Sequence, residues 1–300
     1  MADAHRKGEV NDVVTSSSPA VLKRWIGLEL RRLRTAAGRS RPDVVVRLQR
    51  SRTSIGHLET GRNFPSASVL EVLLGFYGVP DRLPFFLDLI AAARKGRNWW
   101  DQLPGGAPSW LELFLGLEAG AAELSSFESY LVPGLLQTAE YAEAVMRADP
   151  DLTEQEIRRR VELRLGRQRI LDRADDPVRL WFVLDESVLH RRRGTPQVMA
   201  AQLEHLLAMS QRPRIDLQVL PLTAGAHVAQ QSTFQLLRFP AEMVGDPGIV
   251  YIDCLVEGRY YEKPEEVAVY ERAMTRLRVQ AASQEESREI LQRAAREVAT

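Results

Sequence analysis

The sequence has little of what defines several protein classes. Its 300 residues include one cysteine, Cys254, so no intramolecular disulfide can form, and no Cys/His group has the spacing of a zinc site. No apolar run approaches the roughly 18 residues that a membrane span needs, and the first residues lack the apolar stretch of a secretory signal. We therefore expect a cytoplasmic protein that has no membrane contact, no cofactor and no metal ion.

The motifs of common enzymes are also missing. The chain has no G-x-S-x-G nucleophile elbow, H-E-x-x-H metal motif, phosphate-binding G-x-x-x-x-G-K or glycine-rich dinucleotide fingerprint. Ser187 and His190 lie one helical turn apart, but the sequence assigns no carboxylate that would orient the histidine. We expect a protein that is not an enzyme.

Net charge is zero, with 40 basic and 40 acidic residues, but the charges are distributed unevenly. Residues 21–66 contain eleven Lys/Arg and three acids, a net charge of +8, whereas residues 101–156 contain eleven acids and one base, a net charge of −10. This asymmetry is typical of a chain in which only one part meets nucleic-acid phosphate. The alternative is that acidic and basic faces neutralise each other within the folded protein.

Length and composition favour two domains. We predict a disordered arm over residues 1–19, an all-α domain of five helices over 20–94, a linker over 95–108, and an α+β domain with a small mixed sheet over 109–300. In the second domain we expect helices near 109–126, 135–148, 153–172, 196–211, 263–281 and 283–298. We expect strands at Val178–Leu184, Ile215–Leu220, Thr233–Arg238 and Ile249–Leu255.

The first domain contains a pair of short helices with clear start and stop signals. A first helix ends at Gly38, after which Ser40 is a good N-cap with Asp43 as its capping-box partner. A tight turn at Gln49 leads to Ser51, the N-cap of the next helix. The side chains expected to hold the pair together are Val44, Val45, Leu48, Ile55 and Leu58.

This segment resembles the Xre-type family, the Cro and phage-repressor class of helix-turn-helix proteins with the lambda-repressor-like fold. The run Ser51-x-x-Ser54-Ile-x-x-Leu58-Glu59-x-Gly61 carries the resemblance most specifically. The resemblance implies sequence-specific binding to double-stranded DNA, with the second helix, about 51–60, in the major groove of a palindrome bound by a homodimer. The alternative is a helical bundle that has lost DNA binding or serves as a dimerisation unit.

The resemblance also implies roles for individual residues. The positions that read bases in the family are Arg52, Thr53 and His57. The positions that hold phosphate are Arg41, Arg50, Ser51, Ser54 and Arg62. An internal ion pair of the family corresponds to Arg34 and Glu59. The sequence departs from the family at Gln49, where glycine is usual, so Gln49 must adopt a left-handed conformation or the turn must change shape.

The second domain is similar to the C-terminal domain of a group of actinobacterial regulators described as antitoxin-like. Matching segments include Leu131-Val-Pro-Gly-Leu-Leu-Gln-Thr-Ala-Glu-Tyr141, Asp185-Glu-Ser-Val-Leu-His190 and Tyr261-Glu-Lys-Pro264. The resemblance implies a transcriptional regulator that is often encoded beside a small partner protein. Two alternatives stay open: a protein whose principal task is to sequester that partner, and a ligand sensor. The candidate ligand or partner residues are Glu186, Arg169 and His227.

Overall fold

The computed structural model describes residues 18–96, 98–103, 106–107, 109–241, 243–255 and 258–299. They form two compact units. The first contains the residues up to Asn98 together with Phe239–Asp246, and the second contains the rest. Most of the expected arm, 1–19, lies outside the described residues; its last two, Ser18 and Pro19, are the N-cap and first residue of a helix.

The first unit is helical. Its helices are α1 (Pro19–Ala36), α2 (Arg41–Leu48), α3 (Arg52–Glu59), α4 (Ala67–Phe76) and α5 (Leu83–Lys95), with a 3₁₀ turn at Pro80–Arg82. In α1, Ile26, Leu30 and Leu33 are buried. Val44, Ile55 and Leu58 are buried as expected, whereas Val45 and Leu48 are only half-buried.

Helices α1 and α3 pack closely because two glycines lie where they meet. A Cβ added at Gly27 would lie 2.7 Å from the backbone oxygen of Leu58 and 2.7 Å from the backbone nitrogen of Gly61. Gly61 has φ +69°, and a Cβ there would lie 2.6 Å from the Cα of Arg24. The end of α3 is therefore held against α1 at a distance that no larger residue allows.

The second unit begins with a 3₁₀ turn at Trp99–Gln102, inside the segment predicted as a linker. Its helices are α6 (Ser109–Ala119), α7 (Ala139–Met146), α8 (Glu154–Arg167), α9 (Ser187–His190), α10 (Pro196–Met209), α11 (Pro264–Gln280) and α12 (Gln284–Ala299). Its strands are β1 (Glu123–Glu128), β2 (Arg179–Asp185), β3 (Ile215–Leu220), β4 (Phe234–Arg238), β5 (Ile249–Ile252) and β6 (Arg259–Tyr261). Further 3₁₀ turns lie at Gly134–Leu136, Gln168–Asp172 and Leu222–Ala224.

The strands form one mixed sheet in the order β3-β2-β1-β4-β5-β6. Strands β1, β2 and β3 are parallel to one another, and β4, β5 and β6 continue the sheet in antiparallel pairs. Successive residues of a strand face opposite sides, so Leu124 of β1 belongs to the core that also contains residues of α7, α10 and α12. Phe127 belongs to the core that contains residues of α11.

Four features of the secondary structure of this unit differ from the sequence prediction. The helix expected over 109–126 ends at Ala119 and is followed by β1, which occupies a central position in the sheet. The edge strand β6 was not predicted. The helix expected over 135–148 is a short 3₁₀ turn followed by α7. In addition, β5 ends at Ile252, three residues before the predicted end.

Across the described residues, no helix has both the length and the apolar character of a membrane-crossing segment.

The packing of Gly27 predicts that Gly27→Ala destabilises the first unit by about 1–3 kcal/mol, since the added methyl group meets backbone atoms that cannot rotate away. Gly75→Ala is the matched control, because a Cβ on this helical glycine meets nothing within 4 Å. We expect it to stabilise the unit by at most about 0.5 kcal/mol through helix propensity, because Gly75 lies near the end of α4. Calorimetry of the full chain measures both, and equal shifts in the same direction would contradict the packing argument.

Candidate nucleic-acid interface

Helices α2 and α3 form a helix-turn-helix whose ends are capped by side chains. Ser40 Oγ accepts a hydrogen bond from the Asp43 amide, and Asp43 Oδ2 accepts one from the Ser40 amide at 2.8 Å, which confirms the predicted capping box. Ser51 Oγ accepts from the Ser54 amide at 3.1 Å and begins α3. Because each helix begins at a side-chain cap, the turn between them has fixed limits.

Gln49 takes the left-handed conformation that the sequence requires at this turn. Its φ is 51° and its ψ is 43°, and its amide is hydrogen-bonded to the carbonyl oxygen of Val46 at 3.4 Å. The turn therefore has a left-handed residue that is not glycine, at a conformational cost of about 1 kcal/mol.

The three predicted base-reading residues lie on the outer part of α3. Arg52 and Thr53 are exposed and His57 is half-buried. The opposite face of the helix is buried through Ile55 and Leu58. Thr53 and His57 are four residues apart and share a face of the helix, so the structure brings them together at the surface.

Gly56 lies beside that face, one helical turn after Arg52 and Thr53, and is half-buried. A Cβ added at Gly56 would meet nothing within 4 Å. No close contact inside the described fold explains this glycine, which costs about 1 kcal/mol in a helix interior.

The predicted phosphate-binding residues surround the start and the end of α3. Arg50, Ser51 and Arg62 are exposed, and Ser54 is half-buried. Although Ser51 Oγ accepts the cap hydrogen bond, its hydroxyl proton can still be donated to an external oxygen. Arg50 precedes α3, and Arg62 follows it with its amide on the carbonyl oxygen of His57 at 2.9 Å.

The Glu59 carboxylate lies between two arginines from different helices. Arg34 Nε donates to Glu59 Oε1 at 2.5 Å, and Arg41 Nε donates to Glu59 Oε2 at 2.8 Å. The side chains of Glu59 and Arg34 are 3% and 11% exposed, whereas that of Arg41 is 39% exposed. Burial, together with the Glu59 charge, raises the pKa of the nearby Tyr77 hydroxyl. Arg41 is thus both an ion-pair partner and a surface residue.

Four of the eleven cations of residues 21–66 are ion-paired within the first unit. Besides Arg34 and Arg41, Arg24 forms a two-point pair with Asp246 at 2.7 and 2.8 Å, and Arg32 pairs with Glu29. The cations for which the described residues provide no ion pair are Lys23, Arg31, Arg39, Arg47, Arg50, Arg52 and Arg62. Three of these seven, Arg47, Arg50 and Arg52, lie within six residues around the turn.

The candidate residues of the second unit are held at different places. Glu186, after β2, accepts from the Leu222 amide at 2.8 Å and lies 3.6 Å from an Arg293 nitrogen. His227 accepts from the Ala229 amide at 3.3 Å and packs edge-on against Phe127.

The guanidinium of Arg169 lies over the ring of Trp99, 5.7 Å from its centroid. Within the described ranges, no hydrogen bond, ion pair or ring contact joins any two of Glu186, Arg169 and His227. Their role as a ligand or partner site stays a prediction.

Among the described residues, no group of three or more His, Cys, Asp or Glu side chains is arranged to hold a metal ion.

Two family models match the chain. A helix-turn-helix domain model matches residues 25–83, from α1 to the first residue of α5. A model described as a domain of unknown function (DUF5753) matches residues 111–293, more than half of the chain. The chain belongs to the DUF5753 family. No curated protein and no solved structure matches it. The closer relation to actinobacterial antitoxin-like regulators stays a prediction.

The helix-turn-helix match agrees with the capped pair α2–α3, and it supports a DNA-binding regulator. Sequence reasoning missed the Arg24–Asp246 pair, because 222 residues separate its partners and no local signal links them. It did find the position of the turn, because caps and periodicity are local signals.

The Glu59 cluster predicts that Glu59→Gln destabilises the first unit by about 3 kcal/mol, because Arg34 would remain buried without a counter-charge. Arg41→Gln should cost less than about 1 kcal/mol, since its side chain reaches solvent. Chemical denaturation of the full chain measures both. The matched control is Glu71→Gln, at an exposed site on α4; a Glu59→Gln effect no larger than this control would refute the structural role.

Proposed function

We propose that the protein is a sequence-specific DNA-binding transcriptional regulator that inserts α3 into the major groove. The observation that carries the proposal is the geometry of α3. One face is fixed in the core through Ile55, Leu58 and Glu59, and the other face presents polar side chains beside arginines that have no ion pair among the described residues. A short rigid helix of this kind fits the width of the major groove.

The base-reading role falls to the exposed side chains of α3. The Arg52 guanidinium can donate two parallel hydrogen bonds to guanine O6 and N7. Thr53 offers a hydroxyl and a methyl group, and His57 offers ring nitrogens on the same helical face. Because Arg52 has no ion pair among the described residues, its side chain can adjust its position to a base edge.

Phosphate binding falls to residues around the turn and at both ends of α3. Arg50, Ser51 and Ser54 surround the positive N-terminal end of the helix, where backbone amides favour an anion. Arg62 lies beyond the C-terminal end. Arg41 would contact the DNA phosphate backbone with the guanidinium nitrogens that do not bind Glu59.

Gly56 supports a close approach of another molecule to α3. Glycine destabilises a helix interior, and among the described residues no atom lies close enough to Gly56 to exclude a larger side chain. A residue without a side chain on a helix surface lets that surface lie closer to the floor of a groove. We infer that Gly56 allows this approach beside Thr53 and His57.

A single helix-turn-helix covers only part of an operator. We therefore propose that two copies of the chain bind a palindrome whose half-sites lie about one helical turn apart.

The role of Arg52 predicts that Arg52→Ala weakens binding to the preferred duplex by about 1–3 kcal/mol and relaxes base choice at one position in each half-site. The preferred duplex is obtained by selection from a randomised library, and affinity is measured by titration at several salt concentrations. Arg50→Ala should instead weaken all duplexes alike and lower the salt dependence by about one ion. Arg160→Ala, at an exposed arginine of α8, is the matched control and should change neither property.

Unaltered base preference in Arg52→Ala would refute its role. A wild-type chain that binds no duplex at low salt would refute the proposed function.

The role of Gly56 predicts opposite effects on stability and on binding. Gly56→Ala should stabilise the first unit by about 1 kcal/mol and weaken specific DNA binding by at least about tenfold, because the methyl group keeps the helix from the groove floor. Gly75→Ala should raise stability while leaving DNA affinity unchanged. Calorimetry and duplex titration on the same preparations test this, and wild-type affinity in Gly56→Ala would exclude the close approach.

A further inference from the structure

A cavity of about 100 Å³ lies in the second unit, at the end of β1 where the parallel strands meet the antiparallel ones. Its walls come from β1, the start of β4, the end of β5, the segment 131–137 and helix α8. In α/β folds, ligands commonly bind beyond the carboxyl ends of the strands, at the point in the sheet where the strand order changes direction. None of Glu186, Arg169 and His227 lines this cavity.

Arg164 supplies a positive charge without a carboxylate in contact. One Nη of Arg164 donates to Gln137 Oε1 at 2.9 Å, and within the described residues its remaining N–H groups have no protein acceptor. Arg167, one turn further along α8, differs because it forms a two-point pair with Glu118 at 2.7 and 2.8 Å. Burial lowers the pKa of Arg164 to about 10, so the side chain is still charged at neutral pH.

Two carboxylates supply the opposite charge. Glu128, the last residue of β1, is half-buried and accepts a hydrogen bond from Ser126 Oγ at 2.6 Å. Asp253 is exposed at the mouth of the cavity, and the Tyr251 hydroxyl donates to it at 3.4 Å. No ion pair connects either carboxylate to Arg164 among the described residues. Burial raises the pKa of Glu128 to about 7.

This combination selects against ligands with a single charge. An anion at Arg164 would be repelled by Glu128 and Asp253, and a cation at the two carboxylates would be repelled by Arg164. A molecule with both charges avoids this repulsion. Its carboxylate can accept hydrogen bonds from the N–H groups of Arg164, and its ammonium can donate hydrogen bonds to Glu128 and Asp253.

We propose that this cavity binds a small zwitterion of the amino-acid class, with its carboxylate on Arg164 and its ammonium between Glu128 and Asp253. The volume is smaller than the 150 Å³ of a cavity that holds benzene, so the ligand has about five to seven non-hydrogen atoms. The Gln137 side chain contributes by holding Arg164 in place. This inference goes beyond DNA binding and does not depend on it.

Calorimetric titration of the full chain tests the proposal with defined probes. Glycine, L-alanine and L-serine are the zwitterions, ethylammonium carries only the positive charge and propionate only the negative charge. For so few atoms we expect a dissociation constant between about 1 µM and about 10 mM for at least one zwitterion, and at least about tenfold weaker binding of both singly charged probes. No binding of any zwitterion, or equal binding of propionate or ethylammonium, would overturn the proposal.

Variants identify the site. Arg164→Gln and Asp253→Asn should each weaken zwitterion binding about 10- to 100-fold. Arg160→Gln, one turn earlier on α8 and exposed, is the matched control for the arginine, and Asp175→Asn, at an exposed loop position, is the control for the carboxylate. Equal effects of a site variant and its control would place the ligand elsewhere.

The pH dependence gives a separate readout. The ammonium is attracted by the ionised form of Glu128, so zwitterion binding should tighten as pH rises from 6 to 8 through the raised pKa of this carboxyl. Ser126, Arg167, Asp253 and Arg164 face the Glu128 carboxyl, and the two arginines stay charged over this range. Glu128→Gln should remove the pH dependence, and an unchanged pH profile in this variant would exclude Glu128 from the site.

Discussion

The buried carboxylate of Glu59 is the interaction on which the arrangement of the DNA-binding unit depends. Arg34 lies in the last turn of α1, Arg41 begins α2 and Glu59 ends α3, so one acidic group connects three helices. A buried charge is tolerated only with good partners, which makes this arrangement sensitive to the angle between the helices. The close approach of α1 to the end of α3 at Gly27 and Gly61 also restricts the angle between these helices. The direction in which α3 faces outward is therefore set by the fold before any partner binds.

Sequence reasoning succeeded in this unit because its signals are local. The caps at Ser40 and Ser51 and the left-handed turn at Gln49 each depend on residues within a few positions. Strand β1 was missed for the opposite reason. Its sequence Glu123-Leu-Ser-Ser-Phe-Glu128 has no β-branched residue, and its extended form is stabilised by pairing with β2 and β4, which lie far along the chain. The cavity around Glu128 and Arg164 could not be predicted either, because it exists only when those strands and α8 are assembled.

The ion pairs of the first unit change how many of its cations are available to bind phosphate. Arg24 and Arg32, like the partners of Glu59, meet carboxylates inside the same unit. These cations stabilise the fold and are less available to phosphate than the sequence suggests. The remaining ones include Arg47, Arg50 and Arg52 at the turn, so the charge open to a partner is smaller but more concentrated. This distribution favours binding at the helix-turn-helix over nonspecific attraction across the whole surface.

The glycines of the first unit separate the demands of folding from those of binding. Gly27 and Gly61 are required by the backbone atoms beside them, and the fold accounts for both. Gly75 has free space around it, but it lies one residue before the end of α4, where a glycine costs less than in the interior. Gly56 is the fifth residue of the eight in α3 and also has free space. This glycine destabilises the middle of a short helix, and no close contact among the described residues accounts for it, which is the observation behind the proposed approach of DNA to this helix.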